Sequence, residues 1–301
     1  MTVHRQAVPR PSWRQRARDP GWGLLFVLPM LVLFVIFRYV PSLGAVGMSF
    51  TDYRLSGEFT FIGAENYQRL FSDGLFFDSM RVTLIYAVIY VPITVVVALA
   101  TATMLHHVIR GRGLFRGLLF LPYVTSFVMA GIIWTWIYQS DGLINGMLDR
   151  IGLGPVGFLS GNQAMVLGSL AIVSVWKSFG YSMLILLAGL KNIPGDVMEA
   201  ATLDGAGPWG KFRRITLPLL KPVVFFVLVI ETIAAFQVFD TIYVMTGGGP
   251  ARASYGLVYM LYDQGFKFFD FGYAATIGVV LFLVVFVISL VQRYVLDREN
   301  T

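Results

Sequence analysis

Residues Lys191–Lys221 read KNIPGDVMEAATLDGAGPWGKFRRITLPLLK. This polar, turn-rich stretch sits between two apolar runs, 164–190 and 222–245, each long enough to cross a bilayer core, which takes about 20 residues. Four more such runs lie at 22–41, 82–105, 114–138 and 272–292, and none holds more than one ionisable side chain in its interior, leaving aside histidines and span edges. The runs are continuously apolar rather than alternating, so they specify helices and not a β-barrel. The expected fold class is all-α: an integral membrane protein of six transmembrane helices with a cytoplasmic helical hairpin at 191–221. Composition agrees. Of 301 residues 56% are hydrophobic and only 13% charged, against about 25% charged in soluble domains. That excludes a soluble globular enzyme and a disordered chain, and the absence of cysteine excludes a disulfide scaffold or a thiolate metal site.

Charge sets the orientation. With the N-terminus in the cytoplasm, Arg5, Arg10, Arg14, Arg16, Arg18, Arg110, Arg112, Arg116, Lys191, Lys211, Arg213, Arg214, Lys221, Arg293 and Arg298 fall inside. Only Arg54, Arg69, Arg81, Arg150, Arg252 and Lys267 fall outside, and this bias places both termini inward. It also accounts for the formal charge of +6 with no nucleic-acid partner. The expected layout is a cytoplasmic tail over 1–21, a six-helix membrane domain over 22–295 and a short cytoplasmic tail over 296–301. No small-x-small cleavage site closes the first run, so it reads as an uncleaved anchor. The segments between runs are too short to bury a core of their own, so any energy-converting domain has to come from another chain.

Nucleotide and catalytic motifs fail in context. Gly205, Gly210 and Lys211 have P-loop spacing, but Phe212 stands where a magnesium-binding hydroxyl is needed and no strand precedes it. Gly152, Gly154 and Gly157 have dinucleotide spacing, but Pro155 interrupts the helix start and the segment lies in an external loop. The three histidines, His4, His106 and His107, are too few and too peripheral for a triad or metal cluster. The chain is therefore expected to have no catalytic residues and to bind no metal or cofactor.

The Lys191–Lys221 stretch reads as two short helices. Asp196 is placed to cap the first, Ala200 and Ala201 permit close approach, Gly205 and Gly207 make the bend, Pro208 opens the second helix and Pro218 ends it. Such a hairpin cannot bury Leu203, Phe212, Ile215 and Leu217 by itself and suits docking. In its residue types and spacing, Glu199-Ala200-Ala201, Asp204-Gly205-Ala206 and Ile215-Thr216-Leu217-Pro218, it resembles the EAA loop of the membrane subunits of binding-protein-dependent ABC importers. Phe50-Thr51-Asp52-Tyr53, the FDTIYVMTGGGP stretch from Phe239 to Pro250 and Phe271-Gly272-Tyr273-Ala274 extend the likeness to the MalF-like carbohydrate-uptake branch, without the large external insertion of the maltose permease. The resemblance implies a type I importer of the bacterial inner membrane. In it the chain pairs with a second, similar permease, two cytosolic ATPases that bind ATP and Mg, and an external solute-binding protein. Glu199 would meet a basic residue of one ATPase and Gly205 would set the interhelix angle.

Polar residues at membrane depth mark candidate solute contacts. Lys177 and Glu231, on the fourth and fifth runs, form an interhelical salt bridge, or else one of them touches the solute. Gln237, Asp240 and Thr241 share one face of the fifth run and Glu231 points nearly opposite. Phe236, Tyr243, Trp176 and Tyr181 are available to stack on a sugar ring. The expected cargo is a sugar or polyol, with glycerol 3-phosphate and glycerophosphodiesters left open. A stand-alone secondary transporter would need inverted repeats with broken helices, which the sequence does not display.

Overall fold

The computed structural model describes residues 13–55, 57, 59–107 and 110–298. Of the two expected tails, residues 1–12 and 299–301 lie outside the described residues. Five helices are individually long and apolar enough to cross a membrane: Leu24–Met48, Gly74–His107, Gln163–Lys191, Pro208–Phe236 and Phe271–Tyr294. A sixth is reached when Arg112–Val124 and Phe127–Ile137, bent by 92° at a short break, are counted together as one broken span. The all-α expectation holds, and among the described residues extended pairing is limited to the isolated bridges Thr51–Phe61 and Arg54–Asp270.

Two expected spans differ from their apolar runs. The third is interrupted at Thr125 and Ser126, both extended (ψ 158° and 136°). Pro122 withholds the N–H that would bond the Leu118 carbonyl, and Ser126 then caps the next helix by accepting the Met129 N–H at 3.5 Å. The fifth span starts at Pro208, before its apolar run, and stops at Phe236; Gln237 to Phe239 leave the helix, and Asp240–Met245 forms a separate short one. Gln237, Asp240 and Thr241 therefore do not share a face of one continuous helix.

The core is built on the second and fourth spans. Ala98 and Ala102 present little bulk to Met183, Leu186, Leu187 and Leu190, all buried together, the small-residue contact that lets membrane helices approach closely. At Gly180 the third span passes so near that a Cβ would stand 2.2 Å from the Leu119 carbonyl oxygen. Gly272 has the same role at the last span, where a Cβ would stand 2.1 Å from the Thr51 oxygen. That approach lets Asn66 and Thr276 reach the Ser49 carbonyl, each at 3.1 Å, and ties the end of the first span to the last. Elsewhere the first span, Leu24–Met48, buries none of its apolar window in this chain, so its side chains face lipid or another subunit.

Candidate coupling segment and translocation cavity

The coupling segment opens with Pro194 in extended backbone, followed by helix Gly195–Leu203. Asp196 lies in the first turn, but no side chain caps this helix; contrary to expectation, Asp196 acts on the helix dipole and not as a cap. The helix ends in a two-bond closure: the Ala206 N–H reaches the Ala201 carbonyl at 2.9 Å and the Gly205 N–H the Thr202 carbonyl at 3.1 Å. This closure requires left-handed backbone at the residue between, which Gly205 supplies with φ +76°.

Pro208 opens the second helix as expected, and Lys211 Nζ donates to Thr202 Oγ1 at 2.7 Å across the turn. Pro218, however, ends nothing. A wide turn over Phe212–Thr216, closed by the Leu217 N–H on the Phe212 carbonyl, precedes it, and the proline sits in the first turn of the stretch that follows. The widened turn moves the Arg214 carbonyl away from the proline ring, so the helix continues to Phe236. Glu199, Ala200, Asp204, Gly205 and Pro218 are exposed, Ala206, Ile215 and Leu217 half-buried and Ala201 buried. Leu203 at 89% and Trp209 at 70% exposure are the most outward large apolar groups of the segment. Trp209, stacked on Phe212 at 5.6 Å, was not singled out from the sequence.

At the other end of the same helix lies a cavity of about 100 Å³ lined by Tyr86, Tyr90, Phe127, Ser174, Ser178, Ala234, Gln237, Val238, Phe239, Asp240 and Thr241. Both broken spans contribute their breaks to it. Gln237 and Asp240 are exposed into this space, while Thr241 is buried and within 3.4 Å of Ser174 Oγ. Tyr86 and Tyr90 stack at 5.6 Å. Phe239 continues the aromatic wall to Tyr243 at 5.2 Å and Tyr262 at 5.0 Å, and Lys267 lies 5.1 Å over Tyr259. Lys267 also pairs with Asp263 at 2.6 Å, a bond that raises its pKa. A larger groove of about 530 Å³ between the first and last spans is almost wholly apolar, with Ala45, Ala274 and Gly278 among its walls and Ser42 as its one polar side chain; it offers a hydroxyl-rich solute little to bond.

The other sequence candidates stand elsewhere. Trp176 packs edge-on against Trp134 and Tyr181 stacks on Tyr123 at 4.8 Å, Phe236 is in the core, and Tyr243 adjoins the cavity only through Phe239. Lys177 and Glu231 do not pair. The Lys177 ammonium donates to the carbonyls of Pro122 at 2.7 Å, Tyr123 at 3.0 Å and Thr125. The Glu231 carboxylate accepts from Tyr90 Oη at 2.5 Å and from Ser182 Oγ. Carbonyls at a helix break compete for the cation, and two hydroxyls satisfy the acid. Tyr90 also shares a hydrogen bond with Ser178 at 2.7 Å, so Glu231 supports the cavity wall from behind.

This arrangement makes Glu231→Gln mild, because a hydroxyl that donated to the lost oxygen can accept from the new amide instead. Glu231→Leu strands the buried Ser182 hydroxyl, at about 1–3 kcal/mol, and leaves Tyr90 only its bond to Ser178. The expected result is that the glutamine variant assembles within about twofold of the parent and the leucine variant loses at least tenfold, read as extracted complex; equal losses would refute the hydroxyl network.

Residues 76–300, which hold both the coupling segment and the cavity, match the family described as binding-protein-dependent transport system inner membrane component. The chain belongs to that family. This permease is 38% identical over 281 residues to the lactose transport system permease protein LacF of Rhizobium radiobacter, covering 91% of this chain and 93% of the relative. It is 35% identical over 280 residues to the sn-glycerol-3-phosphate transport system permease protein UgpA of Agrobacterium fabrum, covering 92% and 95%. Among solved structures it resembles a chain of the bacterial alginate ABC transporter in complex with alginate pentasaccharide-bound periplasmic protein, with a TM-score of 0.82, 25% identity, and 96% and 98% of the two chains covered. It is thus a multi-pass membrane permease of the MalF-like type anticipated from its coupling loop together with the stretches at 50–53, 239–250 and 271–274, with the type I permease fold.

Proposed function

We propose that this permease carries a sugar or polyol inward by alternating access, as one of two similar subunits in a bacterial inner membrane. Both termini and the Lys191–Lys221 segment face the cytoplasm. An external binding protein delivers the solute, and one of two cytosolic ATPases, which hold ATP and Mg, docks on the segment through Glu199, Leu203 and Trp209. The observation that carries this reading is the continuity of Pro208–Phe236: one helix links the exposed coupling turn to Gln237 at the cavity wall, so a push at one end moves the other.

A cavity of about 100 Å³ is smaller than sites that enclose small molecules, about 300–1,000 Å³, which supports its being completed by a second subunit. Its lining pairs hydroxyls, an amide and a carboxylate with aromatic faces, the chemistry a sugar's hydroxyls and C–H surface require. The described lining residues include no Lys or Arg. Import of glycerol 3-phosphate, which the UgpA relative's name suggests, or of a glycerophosphodiester would need its cations from the partner subunit.

Gln237→Ala and Asp240→Ala test the cavity. Each removes a hydrogen bond worth about 1–3 kcal/mol when its partner stays buried, so the solute concentration for half-maximal uptake is expected to rise roughly 5- to 150-fold with assembly unchanged. Unaltered uptake by both variants would refute the cavity assignment.

A further inference from the structure

Neither coupling nor solute contact uses Lys177, although it is among the largest fully buried side chains, at 1% exposure. Its ammonium sits where Arg112–Val124 ends, on the carbonyls of Pro122, Tyr123 and Thr125, and 4.4 Å over the ring of Phe127, the first residue of the second half-span. A helix that stops within a membrane leaves its last carbonyls without N–H donors, and hydrocarbon supplies none. A cation there satisfies several at once and complements the negative end of the helix dipole. Gly180, one turn further along the same face of the fourth span, lets the backbone at Leu119 lie in contact. Past the break the chain turns through 92°. That turn puts Phe127 on the cavity wall and brings Gly131 against Val244 of the Asp240–Met245 helix.

We propose that Lys177 is a positioning residue of the transport cycle: by holding the break of the third span, its ammonium fixes where Phe127–Ile137 and, through Gly131 and Val244, Asp240–Met245 stand around the solute path. The significance for transport rests on the cavity assigned above; the positioning itself does not.

The chain has no native cysteine, so engineered thiols report on it cleanly in the assembled transporter. A Cβ at Gly131 would lie 3.2 Å from the Val244 Cβ, close to the roughly 3.5–4.5 Å of a disulfide. Gly131→Cys with Val244→Cys should therefore cross-link readily under a mild copper–phenanthroline oxidant. Adding Lys177→Met is expected to slow that cross-link at least tenfold, and Lys177→Arg, which restores a cation with several donors, to bring it back within about threefold. In parallel, a lone Phe127→Cys should change its rate of reaction with a charged methanethiosulfonate reagent at least fivefold when Lys177 becomes Met. Should Lys177→Met not assemble, Lys177→Gln, which keeps two N–H donors, takes its place under the same criteria. Parental cross-linking and labelling rates in the assembled fraction, whatever its abundance, would reduce Lys177 to a stabilising residue and overturn the proposal. No step depends on solute, so slowed cross-linking beside silent Gln237→Ala and Asp240→Ala variants would sink the cavity assignment and leave the positioning role standing.

Discussion

Gly205→Pro is expected to abolish solute uptake while the subunit still inserts and pairs. Gly205 holds φ +76°, whereas proline is confined near −65°, and the substitution also deletes the N–H that reaches the Thr202 carbonyl. The closure that aims the Gly195–Leu203 helix is then lost, but no span contact is touched, since nothing lies within 4 Å of a Cβ at this position. Gly205→Ala supplies the graded case: the space is open and the left-handed backbone costs about 1–2 kcal/mol, so a partial loss is expected. Glu199→Lys, which inverts an exposed charge on the same helix, should uncouple in the same manner. The measurement is solute-stimulated ATP hydrolysis by the assembled transporter, expected to fall at least twentyfold for Gly205→Pro. Normal stimulation in both Gly205→Pro and Glu199→Lys would remove this segment from the coupling path.

The second large effect is expected at Gly180, where valine should lower the amount of assembled subunit at least tenfold. Even a single added carbon would stand 2.2 Å from the Leu119 oxygen and 3.0 Å from both Leu119 C and Phe120 Cα. These are backbone atoms that cannot rotate aside, so the third span has to move bodily, and overpacked contacts of this kind cost several kcal/mol. Gly168, on the same helix, is the control, because a Cβ there meets nothing within 4 Å and its valine variant should assemble normally. Comparable abundance of the two variants, read by quantitative blotting of membranes, would contradict the close crossing.

Hydropathy made the spans legible, since a bilayer imposes a length that a run of apolar residues cannot conceal. It could not show the breaks. Pro122 and Ser126, which open and cap the interruption, are also tolerated in a straight span, and nothing in the local pattern announces that Lys177 bonds the carbonyls at the break, a contact across some 50 residues of chain. The same competition explains why two opposite charges on neighbouring spans did not pair. Charge and depth point to Lys177 and Glu231, but neither reveals that carbonyls and hydroxyls would be nearer. Helical spacing points to Gln237 and Asp240, and both reach the cavity, although the helix that was to join them ends at Phe236, before either. Tyr86, Tyr90, Ser174 and Ser178 went unnoticed because tyrosine and serine within an apolar run pass for ordinary packing. Their signal was a matched repeat of four on two spans, which places each pair on one helix face. In the coupling segment the residue types and the glycine turn were readable. The continuation past Pro218 was not, because a proline that usually closes a helix is accommodated here by one widened turn.

That widened turn and the unbroken Pro208–Phe236 helix make the coupling surface and the solute path a matter of phase as well as distance. Along an α-helix each residue advances about 1.5 Å and turns about 100°, so the compass bearing of Gln237 relative to Trp209 is set by the number of residues between them. One residue gained or lost in this stretch would rotate the cavity wall by more than a quarter turn against the ATPase contact, while three or four together would nearly restore the bearing and shift only the depth. Among proteins built this way, length changes in the helix are therefore expected in whole turns, and grafting a foreign coupling segment should succeed only when its register is kept.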